Sequence, residues 1–210
     1  MVQIAVNQTL IDLIFEEPVE KYTVLDVGCG DGGLSFIVAK KARKVIGIDV
    51  SSEAIGAAKR KATDNTLFVV MDAEKEDYSR LGRIDMIVSH LYMSNEAIKR
   101  AYSVLPLGGV YAFACFHADH LIEGGRRSRF SYTEGEMKSV LEKTGFKVEY
   151  LKAEKTKIGF KDKGEALKAL GNKTVERWKE DGRLQHLSAY IEGGGRSLTK
   201  GILVGKARKK

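Results

Sequence analysis

The sequence predicts a doubly wound α/β fold around a mostly parallel sheet, and three observations carry that expectation. Helical and extended patterns alternate along most of the chain, the order that places helices on both faces of a parallel sheet. Several strand candidates are unbroken runs of Val, Ile and Leu, as strands buried on both faces should be. The first of them, Thr23–Val27, runs straight into the glycine-rich turn Gly28-Cys29-Gly30-Asp31-Gly32-Gly33. Such turns stand at the carboxyl edge of the sheet, where these folds bind ligands. With 210 residues, the chain is long enough for one domain with a sizeable core.

The elements follow in order. Val6, Leu10, Leu13 and Ile14 recur at helical spacing and predict an amphipathic first helix. Asp12, Glu16 and Glu17 lie in the same stretch without a basic leader, which argues against a secretory signal. Strands are expected over Thr23–Val27, Lys44–Asp49, Thr66–Met71, Ile84–Ser89, Val110–Phe116 and Phe146–Lys152. Helices are expected between them over Gly33–Ala42, Ser52–Ala62, Asn95–Val104 and Glu134–Thr144. Thr133 and Glu136 have the spacing of a capping box for the last of these, and Gly145 is a natural stop. Further on, Asp162 and Glu165 form a cap pair for another helix. Leu184, Leu187 and Ile191 predict one more, near Trp178. Gly193-Gly194-Gly195 then frees the chain to enter a last strand over Leu198–Ala207.

Composition bounds the function. Cys29 and Cys115 form no C-x-x-C and no zinc set, so no metal is expected. Both read as small packed side chains in a reducing, cytoplasmic compartment. No apolar run approaches the ~20 residues of a membrane span. Charge is uneven: residues 1–151 carry a net −2 and residues 152–210 a net +9, which together make the overall +7. That asymmetry fits either a nucleic-acid surface or a lysine-rich solvated face ending in a frayed tail, Lys206–Lys210. Few aromatics interleave with the charges and no RNA-binding signature is present. The solvated face is the favoured reading.

The glycine turn carries the chemistry, and two fingerprints overlap in it. Gly28, Gly30 and Gly33 satisfy G-x-G-x-x-G, with Asp49 21 residues beyond the first glycine, as in dinucleotide sites. Asp26, Gly28, Gly30 and Gly32 also satisfy acid-x-G-x-G-x-G. A carboxylate facing the turn would repel a pyrophosphate and suit a ligand with an ammonium group.

This stretch resembles motif I of the class I S-adenosylmethionine-dependent methyltransferases, and the resemblance continues in order over residues 22–152. Ile46-Gly47-Ile48-Asp49-Val50 resembles the strand whose acid holds the ribose hydroxyls, with Val50 against the adenine. Met71-Asp72-Ala73 resembles the acid that accepts from the adenine amino group. Ile84-Asp85-Met86-Ile87-Val88-Ser89-His90 resembles the stretch below the methionine portion, and Leu105-Pro106-Leu107-Gly108-Gly109 the turn before strand five. The family implies a Rossmann-like, seven-stranded sheet whose last strand is antiparallel. It implies S-adenosyl-L-methionine as cofactor, S-adenosyl-L-homocysteine as product and no metal. Asp26, Gly28, Cys29, Gly30, Gly32, Asp49, Val50, Asp72, Ala73 and Ser89 are its implied cofactor residues. The division that follows is a core over 22–152, an acceptor-side elaboration over 153–197 and a last strand with basic tail over 198–210, all in one domain.

The acceptor is expected at the tips of strands four and five. Ser89-His90-Leu91-Tyr92 lacks the Asn/Asp-Pro-Pro-Tyr motif of the amino-methylating branches, which disfavours an amide-assisted transfer to nitrogen. His90, Tyr92 and His117 are the catalytic candidates, with His120 close by. Arg126, Arg127 and Arg129 suit a carboxylate or phosphate on the acceptor, although a solvated basic loop is an equally good account of each one. Residues 161–171 also loosely resemble the helix of malonyl-carrier-protein O-methyltransferases that helps bind the acceptor. The expected acceptor is therefore a small or carrier-borne molecule taking methyl on oxygen. An RNA methyltransferase and a non-catalytic cofactor-binding module remain alternatives.

Overall fold

The computed structural model describes residues 5–210; Met1–Ile4 lie outside the described residues. Five parallel strands form the body of the sheet: β1 (Thr23–Val27), β2 (Lys44–Asp49), β3 (Thr66–Val70), β4 (Met86–His90) and β5 (Val110–His117). Their spatial order is β3-β2-β1-β4-β5. Beyond β5 lies β8 (Ser197–Lys209), antiparallel to it, and then β7 (Phe146–Gly159), antiparallel to β8. A two-residue strand, β6 (Ser131–Tyr132), pairs alongside the end of β5 and adds an eighth strand to the seven expected.

Helices cover both faces. α1 (Gln8–Phe15) and α2 (Gly33–Ala39) bury Leu10, Leu13, Ile14, Leu34 and Val38 against Val24, Val45, Met86, Val88 and Val110. α4 (Asn95–Val104) and α5 (Glu134–Thr144) bury Ile98, Ala101, Met137 and Leu141 against Leu25, Ile87, Tyr111, Phe113 and Leu203. Successive strand residues point to opposite faces, so each strand feeds both cores, which is why its sequence is apolar throughout. α3 (Ser52–Lys59) closes a smaller cluster with Cys29, Ile55, Ala58 and Phe68. α5 starts on the expected capping box between Thr133 and Glu136.

The elaboration between β7 and β8 is a three-helix cap: α6 (Lys163–Leu170), α7 (Asn172–Glu180) and α8 (Arg183–Glu192). It has its own core of Phe160, Ala166, Leu170, Trp178, Leu187 and Leu198. β7 runs seven residues past the expected Lys152, because Lys155–Gly159 keep pairing with Ser197–Gly201 beyond the end of β5. Lys155-Thr156-Lys157 of that arm are all exposed, so no apolar alternation marked the stretch as strand. β7 runs in the same direction as β5, so the arm rises on the edge that carries the glycine turn. α7 was not expected as a separate helix.

The basic tail is not frayed. Lys206–Lys209 are strand residues, and Lys206 is 7% exposed. Its ammonium lies 2.6 Å from Glu16 and 3.1 Å from Glu17. Arg208 bridges Glu17 and Glu149, each at 2.7 Å. The end of α1 is thereby locked onto β8. Lys209 donates to the Tyr102 carbonyl at 2.6 Å, so three of the tail's charges serve the fold rather than the solvent. No helix of the described residues is long and apolar enough to cross a membrane.

Candidate active site

The glycine turn is laced to the tip of β2. The N–H groups of Gly28 and Cys29 both donate to the Ile48 carbonyl, at 2.9 and 3.0 Å. Gly30 N–H donates to Asp49 Oδ2 at 2.9 Å, and Ser51 N–H donates to Asp49 Oδ1 at 2.9 Å. Each Asp49 oxygen retains a lone pair after these bonds, as holding two ribose hydroxyls requires. Gly30 has φ 55°, and a Cβ there would meet nothing within 4 Å. The space above the turn is open. Gly28 is different: a Cβ there would stand 2.7 Å from Tyr92 Cβ. Its absence lets the strand-four tip close down on the turn.

Asp26 lies beneath, 1% exposed. Its Oδ2 accepts from the Ser35 hydroxyl at 2.6 Å, while its buried Oδ1 has no hydrogen-bond partner. Burial pushes its carboxyl up to about 7; the Ser35 bonds oppose the rise and the nearby Asp49 charge adds to it. A buried, half-satisfied carboxylate is costly unless a cation or donor meets it. An amino-acid ammonium supplies both, and the residues present therefore fit S-adenosylmethionine.

The other implied cofactor residues divide. Val50 is 71% exposed, and Val70, paired with Asp49, is 48% exposed. Both lie at the tips of neighbouring strands, β2 and β3. Asp72 accepts from Glu74 N–H at 2.9 Å and pairs with Lys75 at 3.2 Å; these two partners hold its carboxyl below the usual range. Gly32 is the N-cap of α2. Cys29, Ala73 and Ser89 turn inward. Cys29 packs among Ile55, Ala58 and Phe68, the Ala73 carbonyl accepts from the Tyr78 hydroxyl, and Ser89 is fully buried with its hydroxyl 3.4 Å from that of Tyr111.

At the strand tips the candidates are already engaged. His90 Nε2 accepts from the backbone N–H of Asn7 at 3.3 Å, and burial lowers the pKa of the ring. Asn7 and Thr9 are fixed in turn by Glu154 of β7, at 2.8 and 2.7 Å. His117 is 3% exposed, with Nδ1 accepting from Asp119 N–H at 3.0 Å and Nε2 3.0 Å from Glu134. Neither ring nitrogen is free. His120 lies on Phe116, its ring centroid 4.4 Å away, with a pKa lowered to about 4 chiefly by burial. The Tyr92 phenol is raised, first by burial and then by the charges of Glu74, Asp72 and Asp49.

The three arginines part company. Arg126 pairs with Asp181 at 3.1 Å, and Arg127 takes both oxygens of Glu136 at 2.9 and 3.0 Å. Arg129 makes no ion pair among the described residues, and its guanidinium lies 4.3 Å over the Phe130 ring. No group of three or more His, Cys, Asp or Glu suited to a metal occurs among the described residues. Four participants gave no sequence signal for a role here: Ser35, Glu134, Glu154 and Phe130. Each acts through a contact between distant segments, which spacing cannot reveal. The turn residue Leu91, with φ 61°, likewise carries no glycine or asparagine to mark it.

Comparison with known proteins bears on the family and the fold. A family model described as a methyltransferase domain matches residues 18–182. An uncharacterised RNA methyltransferase of Nanoarchaeum equitans is 33% identical over 110 residues, covering 51% of this chain and 25% of that protein. Aklanonic acid methyltransferase DauC of a Streptomyces species is 32% identical over 127 residues, covering 57% of this chain and 51% of that one. The chain thus spans between a quarter and about half the length of these curated relatives. The YcgJ protein of Bacillus subtilis superposes with a TM-score of 0.71 at 15% identity, over 97% of this chain and 99% of its own, which is a likeness of fold. With a methyltransferase-domain model matched over most of its length on this fold, the chain belongs to the class I S-adenosylmethionine-dependent methyltransferases.

Proposed function

We propose that this methyltransferase acts on an oxygen of a small or carrier-borne acceptor bearing an anionic group. The make-up of the two strand tips carries the reading. They offer no Pro-Pro-Tyr amide arrangement, and the histidines that face them are engaged in hydrogen bonds: His90 accepts from Asn7, and His117 is bonded at both nitrogens. A site without a free base suits an acceptor that has no proton to lose, such as a carboxylate.

Bound S-adenosylmethionine supplies a methyl group activated by its sulfonium. The chain's work is to hold the acceptor oxygen in line, about 3 Å from the methyl carbon, and to keep water out. Asp26 would hold the cofactor's ammonium, Asp49 its ribose hydroxyls, and Val50 would lie against its adenine. Tyr92 separates this compartment from the 126–130 loop. His117 positions the β5–β6 turn through Glu134.

RNA is the second reading, favoured by the net +9 of residues 152–210 and by the names of several relatives, among them RNA methyltransferases of Nanoarchaeum, Leptospira and Caldanaerobacter. Against it, Lys155, Arg183, Lys206 and Arg208 are held in ion pairs, and Trp178 is fully buried and unable to stack on a base. The test is methyl transfer from S-adenosylmethionine labelled in its methyl group, offered separately to mixed carboxylic acids, to phenols and alcohols, and to total RNA. Label in the acid fraction, released as methanol by mild alkali, is the expected result. Label confined to RNA would overturn the proposal.

A further inference from the structure

We infer that Tyr92, Phe130 and Arg129 form a slot for a flat, conjugated anion, so that the acceptor is an aromatic or similarly planar acid. This deepens the proposed function and rests on it.

Two rigid supports build the slot. The first is the turn after β4. Leu91 is one of two non-glycine residues among those described with a left-handed backbone, φ 61°, a conformation strained for a side chain of this kind that persists only where its surroundings enforce it. Its N–H donates to the Ala114 carbonyl at 2.6 Å. The turn brings Tyr92 down against Gly28, so the ring stands between the glycine turn and the 126–130 loop. The second support is that loop. Arg126 ties it to Asp181 and Arg127 ties it to Glu136, while Ser131 and Tyr132 pair with Phe116 and His117. These tethers fix both ends of the short segment that carries Arg129 and Phe130.

What the two supports hold up is specific. The Tyr92 and Phe130 ring centroids are 6.5 Å apart, inclined at 41°. That lies at the wide end of aromatic contact, and both rings are half-buried. Arg129 covers Phe130 at 4.3 Å. Its neighbours Arg126 and Arg127 are neutralised by carboxylates, so the uncompensated charge of the loop belongs to Arg129. A guanidinium laid on a ring is pre-organised to receive a planar carboxylate through its fork. Aliphatic acids would use the charge and waste the rings. A phosphate needs neither ring.

The test uses the full chain saturated with S-adenosylhomocysteine, titrated by calorimetry with 2-naphthoate, 2-naphthamide and octanoate as probes. The expectation is that 2-naphthoate binds at least about tenfold more tightly than either of the others. Arg129→Gln should weaken it about tenfold, and Phe130→Leu, which keeps apolar bulk, about fivefold, with S-adenosylhomocysteine affinity unchanged in both. If octanoate binds as well as 2-naphthoate, or if neither substitution matters, the slot is refuted while an acidic small-molecule acceptor stands. If no probe binds and a short RNA does, with affinity falling steeply in salt, both the slot and the proposed function fall.

Discussion

At the scale of single residues, Asp26 sets function against stability. Its carboxyl titrates near 7 in the folded chain and near 3.8 when unfolded. The folded state therefore holds a proton that the unfolded chain has released. Stability from this residue is complete below about 4 and is lost as pH rises through about 7, by at most on the order of 4 kcal/mol. Asp26→Asn should accordingly raise the melting temperature of the ligand-free protein at pH 8 and leave it little changed at pH 4. The same substitution should weaken S-adenosylhomocysteine binding by about tenfold or more, through loss of a charge-assisted bond to the ammonium. Thermal scans at both pH values with a calorimetric titration check both halves. A variant that is less stable at pH 8 would show that Asp26 is satisfied by the protein alone.

At the scale of elements, the clamp between α1 and β8 is the contact most open to test. Burial opposes ionisation of Glu17, but the bonds and charges of Arg208 and Lys206 outweigh it, and its pKa lies below the ordinary value. Its contribution is present above about 4.5 and is lost as pH falls through the lowered folded value. Glu17→Gln should lower the melting temperature at pH 7 by about 2–4 °C, corresponding to about 1 kcal/mol once solvent screening is allowed for, and the difference from the parent should shrink below pH 4. The clamp also shows what sequence can and cannot tell. β1, β2, α4 and α5 were legible to the residue, since each is bounded by a glycine, cap or charge at the point where its apolar run stops. The tail was not, because Lys206, Ala207 and Arg208 read as solvated until Glu16, Glu17 and Glu149 are brought beside them. The glycine turn was readable for a related reason: Asp26, the glycines and Asp49 take their places through the strand–turn–helix pattern itself. Arg126 and Arg127 took their roles from partners 55 and 9 residues away in sequence, and no spacing rule reaches them.

At the scale of the molecule, the cap and the sheet are unequal partners. The cap core has six buried residues, against 21 and 15 in the two clusters that flank the sheet. Trp178 is the one tryptophan of the chain and sits fully buried in that small core. Its fluorescence should therefore report loss of the cap at a lower urea concentration than the far-ultraviolet signal of the sheet, in two separate transitions. Coincident curves would mean that the β7–β8 arm couples the two into one cooperative unit.

The place of β8 has a consequence for how the chain is made. It lies between β5 and β7 in space but follows both in sequence. A nascent chain therefore displays the open edge of β5 while roughly 80 further residues are translated, about 4–16 s at ribosomal speeds. β7 and the cap are themselves made during that interval, and β7 has no strand to pair with until β8 follows. An unpaired edge of eight largely apolar residues is a template for aggregation. β8 thus closes the seam between β5 and β7 after both have been made.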